Sequence, residues 1–141
     1  MKTITTILVV FVMVFAGYIH AQNDFVKHQP LETKIAKGKK NILTGLRSEN
    51  SGLIESSLVL IAKIKLSFPE TNVSDVQTVV DSIAIAGSSA TLRYKAYLTL
   101  NICADPEWFS AETILPITTV DEFFLSASQR LQNKLLGLYT N

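Results

Sequence analysis

Two apolar stretches of helical period, recurring 39 residues apart, set the terms for what this chain can fold into. The first, SGLIESSLVLIAKIKL, follows a polar Glu49-Asn50-Ser51 start and runs to Phe68, where Pro69 withholds a backbone donor and ends the helix. The second, ATLRYKAYLTLNIC, follows Gly87-Ser88-Ser89 and stops before Asp105-Pro106. Sliding the chain by 39 positions lays residues 52–57 on residues 91–96 and Ile61 on Leu100. Few residues are identical, but the order of large, small and polar positions agrees. Ile61 therefore belongs to the expected core.

Helical repeats of about 40 residues are typical of HEAT and armadillo arrays, in which each helix pair buries its face only by stacking on a neighbour. The run LRYKAYLTL resembles the second helix of a HEAT repeat, whose signature is a turn with Asp-Pro, then Val-Arg, then a small residue three positions later. Leu92, Arg93 and Ala96 match those places, Ser88-Ser89 replace Asp-Pro, and Ile54 stands where the earlier copy would carry the arginine. The resemblance covers residues 41–104. It implies an all-α fold: a short HEAT-like stack of antiparallel helix pairs, about five helices in all, closed by a C-terminal helix. The apolar periods of 3 to 4 point to the same class, without a sheet. The chain resembles small bacterial secreted helical proteins more than a long solenoid.

At the start of the chain, Met1-Lys2 is basic, residues 7–16 are an apolar run, and Ile19-His20-Ala21 offers a small residue at a cut. That order is a secretory signal peptide, and the run is shorter than the ~20 residues of a spanning helix. The expected division is a signal peptide over residues 1–21 and one helical domain over residues 22–141, in a periplasmic or secreted protein. The expected mature chain is formally neutral, which gives no general pull toward nucleic acid or membrane.

Its charge is unevenly spread. Residues 22–47 carry Lys27, Lys34, Lys37, Lys39, Lys40 and Arg47 against Asp24 and Glu32, so this segment is +4 and the remainder −4. One reading is a basic amphipathic helix that touches an anionic surface or partner. The other is a solvated lysine face behind a core row of Leu31, Ile35, Ile42 and Leu46. Four lysines are few for tight phosphate binding at physiological salt, which favours the second. Gly38 and Gly45 weaken this helix.

After Pro69, Ser74 and Gln77 form a capping-box pattern, followed by Val76, Val79, Val80 and Ile83 at helical spacing and a stop at Gly87. Asn72-Val73-Ser74 is also a glycosylation sequon, relevant in a eukaryotic secretory host. Asp105-Pro106 fits a cap and first helical position for one turn carrying Trp108 and Phe109, a plug over the core's end. Residues 113–118 are expected as an extended linker. Thr119 and Glu122 make a second capping box for a last helix. Val120, Phe124, Ala127, Leu131, Leu135 and Leu138 mark its apolar face.

The chemistry on offer is thin. His20 leaves with the signal peptide, so His28 is the one histidine left, and with one cysteine it cannot complete a four-ligand zinc site. There is no Gly-rich phosphate loop, no Glu-x-x-His pair and no local support for a nucleophilic triad. No catalytic residue, metal or cofactor is expected. Cys103 shares a helical face with Leu92, Ala96 and Leu100, the pattern of a buried thiol.

The expected function is an exported, noncatalytic protein-binding or scaffold domain whose partner is another protein, not nucleic acid. Two alternatives stand beside it. One is an envelope-surface protein contacting anionic lipid through the basic N-terminal helix, and the other is a carrier of a small apolar ligand near Trp108 and Phe109. The candidate binding surface is Arg93, Tyr94 and Tyr97, which helical spacing separates from Leu92, Ala96, Leu100 and Cys103. Aromatic and arginine side chains offer wide contact area with a polar handle. The competing reading packs a tyrosine against the neighbouring helix pair and joins Arg93 to an acid such as Asp81.

Overall fold

The computed structural model describes residues 30–109 and 111–137, without the side chain of Leu31. The expected signal peptide and its expected cut, the expected domain start at residue 22, His28, and Leu138 of the last apolar face lie outside the described residues. Backbone contacts divide the chain into Met1–Ile35 and Ala36–Asn141. Of the first unit, the described part is Pro30 and the opening of a helix.

Every regular element among the described residues is helical. In order these are α1 (Leu31–Leu46), α2 (Ser51–Ser67), α3 (Ser74–Ala86), α4 (Ala90–Ala104), a 3-10 turn (Pro106–Phe109), the one-turn α5 (Ala111–Ile114) and α6 (Val120–Leu135). The fold is an all-α helical stack. The five long helices among the described residues lie where the apolar periods put them.

Local chemistry sets most of the boundaries. Asn50 caps α2 by accepting a hydrogen bond from the Leu53 amide at 3.2 Å, and Ser89 caps α4 by accepting from the Leu92 amide at 3.1 Å. α2 ends at Phe68, just before Pro69. Gly87 ends α3 with an ordinary φ of −57°, so the left-handed conformation that glycine often supplies is not used. Its value is close approach, since a Cβ there would sit 2.6 Å from the Ile83 carbonyl oxygen. Gly45 acts likewise, because a Cβ on it would run into the Ser57 hydroxyl and push α1 off α2.

Neither expected capping box forms. Val73 occupies the cap position of α3 with no side-chain cap, and the Asn72 side chain instead accepts from the Ser74 amide at 2.9 Å. Val73 is buried at 4% exposure. Burying a valine contributes about 1.5–3 kcal/mol against about 1 kcal/mol for a cap, so the turn follows the core. At α6, the Thr119 hydroxyl donates to Glu122 Oε2 at 2.7 Å, and no side-chain cap bond reaches the backbone.

α4 is the central strut of the second unit, packed against α2, α3, α6 and the 3-10 turn. It runs in the same direction as α6, because Lys95 meets Asp121 near the start of both and Asp105 meets Lys134 near their ends. The fully buried side chains include Leu58 and Ile61 of α2, Leu98 and Ile102 of α4, Phe109, Ile114 and Phe123.

Two expectations about the C-terminal part are corrected. The segment 113–118 is not an extended linker: Thr113 and Ile114 belong to α5, and Ile114 is fully buried. The Lys63 ammonium of α2 closes this connector by donating to the carbonyl oxygens of Leu115 at 3.1 Å and Ile117 at 2.6 Å. In α6, Phe124, Ala127 and Leu131 are buried as expected, but so is Phe123, whereas Leu135 is 74% exposed. A second aromatic turned inward widens the buried arc, and by Leu135 the helix has run past what covers Leu131.

Candidate functional site

Around α4, one helical turn supplies both an internal anchor and an exposed surface. Lys95, at 7% exposure, sits in the buried arc with Leu92, Ala96, Leu98 and Thr99. Its ammonium reaches Glu55 of α2 and Asp121 of α6, each at 2.8 Å, and lies 5.6 Å from the Phe124 ring centre. Burial works against the charged form, but the hydrogen bonds to Asp121 and Glu55 outweigh it and raise the Lys95 pKa. Three helices are thereby tied at one cation.

Tyr94, the preceding residue, lies about 100° around the helix from Lys95 and is 44% exposed, and Tyr97 is 46% exposed one turn on. Their rings stack with centroids 6.4 Å apart and planes 24° apart. The Tyr94 hydroxyl is 2.8 Å from the Ser128 hydroxyl of α6, which fixes its ring against that helix. Leu125, three residues before Ser128 on α6 and 61% exposed, borders the same face. The surface is thus a stacked tyrosine pair on a helix held from several sides, with an exposed leucine beside it.

Arg93 does not belong to that surface. It is half-buried, and its guanidinium donates to the Gly87 carbonyl at 2.8 Å, closing the α3–α4 turn. Asp81, the acid expected as its alternative partner, is not that partner. Ile85 of α3 is 81% exposed. Of the three candidate residues, the structure places Tyr94 and Tyr97 together and gives Arg93 to the turn.

The adjacent aromatics of the connector fill the core's end. Phe109 is fully buried, and the Trp108 indole N–H donates to the Arg130 carbonyl at 3.2 Å while Lys134 lies 5.5 Å from its ring centre. Lys134 also pairs with Asp105 at 2.5 Å, which lowers the Asp105 pKa. Cys103 is buried at 8% exposure, and burial pushes its thiol up to about 11 against the opposing pull of nearby Lys65. Such a thiol is neutral and a poor nucleophile at neutral pH. Among the described residues no group of three His, Cys, Asp or Glu side chains is placed to hold a metal ion. No helix among them is long and apolar enough to cross a membrane.

Sequence reasoning missed Lys95, Lys63 and Ser128. A lysine set among Leu92, Ala96, Leu98 and Thr99 is a visible signal, because it breaks an apolar arc where only a partnered cation is stable. The repeat hid its partner, since Glu55 aligns with Tyr94 at an offset of 39 while the ion pair joins residues 40 apart. Lys63 and Ser128 carry no such mark, as their partners are set by tertiary packing. Comparison with family models, curated proteins and solved structures gave no match.

Proposed function

We propose that this chain is an exported, noncatalytic binding or scaffold domain that meets another protein through the exposed face of α4 and α6. The observation that carries the reading is the Tyr94–Tyr97 stack, nearly half exposed and oriented by Ser128. Preordered aromatic side chains lose little freedom on binding, which suits them to interface centres. A HEAT-like assembly belongs to the same proposal, supported by the 39-residue spacing between the starts of α2 and α4. The noncatalytic part is supported by Cys103, whose buried neutral thiol is unsuited to attack. The aromatics at residues 108 and 109 are engaged in the core, so nothing in their geometry favours a ligand carrier.

The test is capture from the envelope fraction of the native cell, with Tyr97→Ala compared against Ile85→Ala. A protein retained by the wild type and by Ile85→Ala, but lost with Tyr97→Ala, supports the surface. Equal capture by both variants overturns it. Export is tested separately: native material beginning at Gln22 supports it, and native material retaining Met1 overturns it.

A further inference from the structure

We propose that the outward face of α1, with the turn residue that follows it, is a docking surface for an anionic lipid bilayer, with Lys37, Lys40 and Arg47 as its phosphate contacts. This surface stands apart from the tyrosine face and does not depend on it. Ile42 and Leu46 are buried at 3% exposure each and fix which side of α1 turns inward. Lys37, Lys40, Thr44 and Arg47 follow at intervals of three and four, so they form one row, and all four are exposed. The row extends over about 15 Å of helix at 1.5 Å per residue.

Lys39 and Lys40, adjacent in sequence, take different roles. Lys39 is drawn to the other side, where its ammonium pairs with Asp75 at 2.8 Å and donates to the Asn72 carbonyl at 2.9 Å. Lys37, Lys40 and Arg47 make no side-chain hydrogen bond or ion pair among the described residues. Glu32, the acidic residue of α1, precedes the row, five residues before Lys37 and eight before Lys40. The row is therefore positive along its length, with nothing on α1 to neutralise it.

Its shape selects among anionic partners. The row lies on a single convex helix, so it encloses no small anion, while a planar array of phosphates meets every cation at once. Nucleic acid is disfavoured because three cations release too few counterions to hold it at physiological salt. On an anionic bilayer each cation raises partitioning about fivefold, so three give roughly a hundredfold preference over a neutral one.

The experiment sediments the purified protein with phosphatidylcholine vesicles, with and without phosphatidylglycerol. The proposal expects binding only where phosphatidylglycerol is present, lost in about 1 M salt, where the screening length falls to about 3 Å. The variant Lys37→Glu/Lys40→Glu/Arg47→Glu should lose at least tenfold in bound fraction while keeping its far-ultraviolet helix signal. Tyr97→Ala should bind vesicles like the wild type, which separates this surface from the protein-binding face. Equal binding to neutral vesicles, no binding to either kind, or unchanged binding by the folded triple variant overturns the proposal. Displacement by inorganic phosphate at a concentration matched to the lipid phosphate also overturns it, because the site would then be one for free phosphate.

Discussion

α2 and α4 begin 39 residues apart and are each capped by a polar side chain, yet their lysines hold different things. On α2, Lys63 and Lys65 donate to backbone carbonyls, Lys63 to Leu115 and Ile117 and Lys65 to Pro69 and Thr71. Those bonds fasten connectors. On α4, Lys95 is bound to two carboxylates on two other helices. The exposed rows differ as well: α2 presents Leu53 and Leu60, and α4 presents Tyr94 and Tyr97. α2 thus secures the chain's turns, while α4 gathers the helices and carries the exposed tyrosines.

The sharpest way to break the parallel is at its aligned core positions. Ile61 is fully buried, whereas Leu100, its counterpart in the sequence repeat, is half-buried. Ile61→Asp should unfold the protein, since an unpaired buried charge costs several kcal/mol against a typical total of about 5–15 kcal/mol. Leu100→Asp should leave a folded, weakened protein, because its carboxylate can reach water. Denaturant unfolding of the two variants checks this; equal losses would mean the two positions are equivalent.

Next comes the cation that ties three helices. The two acids of Lys95 are not alike, as the Glu55 side chain is 24% exposed and that of Asp121 is 90% exposed. Water screens the Asp121 pair, so Asp121→Ala should cost under about 1 kcal/mol. Glu55→Ala should cost about 2 kcal/mol, since it removes the better-shielded partner. The pKa of Lys95 is raised in the folded protein. Its stabilisation is therefore complete below the unfolded value near pH 10.4 and is lost as pH rises through the folded value. The alkaline loss should shrink in Glu55→Ala. An alkaline limb identical to the wild type would remove Lys95 as its source.

These contrasts show where the sequence is readable. The long helices are legible because periodicity and punctuation are local: Asn50, Pro69, Gly87, Ser89 and Pro106 mark boundaries that the structure uses within a residue or two. Caps were less legible, because a buried Val73 overrode the Ser74 box. The shape of the 113–118 connector is not legible locally, because Ile114 is buried by contacts distant in sequence and the Leu115 and Ile117 carbonyls are met by Lys63, more than 50 residues earlier. Of the candidate surface, helical spacing sets Tyr94 and Tyr97 apart from Leu92, Ala96 and Cys103, and both rings are exposed while those three are buried. It could not show that Arg93 folds back onto Gly87, since a long side chain chooses its acceptor in three dimensions.

Cys103 offers a smaller effect on the α4 side of the comparison. Its thiol is buried and held near a pKa of about 11. Replacing sulfur with the more polar hydroxyl in Cys103→Ser should cost about 1 kcal/mol without altering capture of a partner. A bulky thiol reagent should label the native protein slowly and the unfolded protein rapidly. Fast labelling of the native state would contradict the burial.

The smallest expected change in stability is at the tyrosine pair, and it is the one that separates surface from scaffold. Tyr94 has a hydroxyl partner in Ser128, whereas the Tyr97 hydroxyl has none among the described residues. Tyr94→Phe keeps the ring and removes one exposed hydrogen bond, so stability should fall by less than about 1 kcal/mol. Tyr97→Ala removes a ring that is 46% exposed and stacked on Tyr94, with little core contact to lose. If the pair is a recognition surface, Tyr94→Phe should weaken partner capture modestly by freeing the ring, and Tyr97→Ala should abolish it, with both proteins folded. If Tyr97→Ala instead lowers stability as much as Glu55→Ala does, while capture persists, the stack is part of the scaffold. The difference between α2 and α4 would then lie only in how their lysines are used.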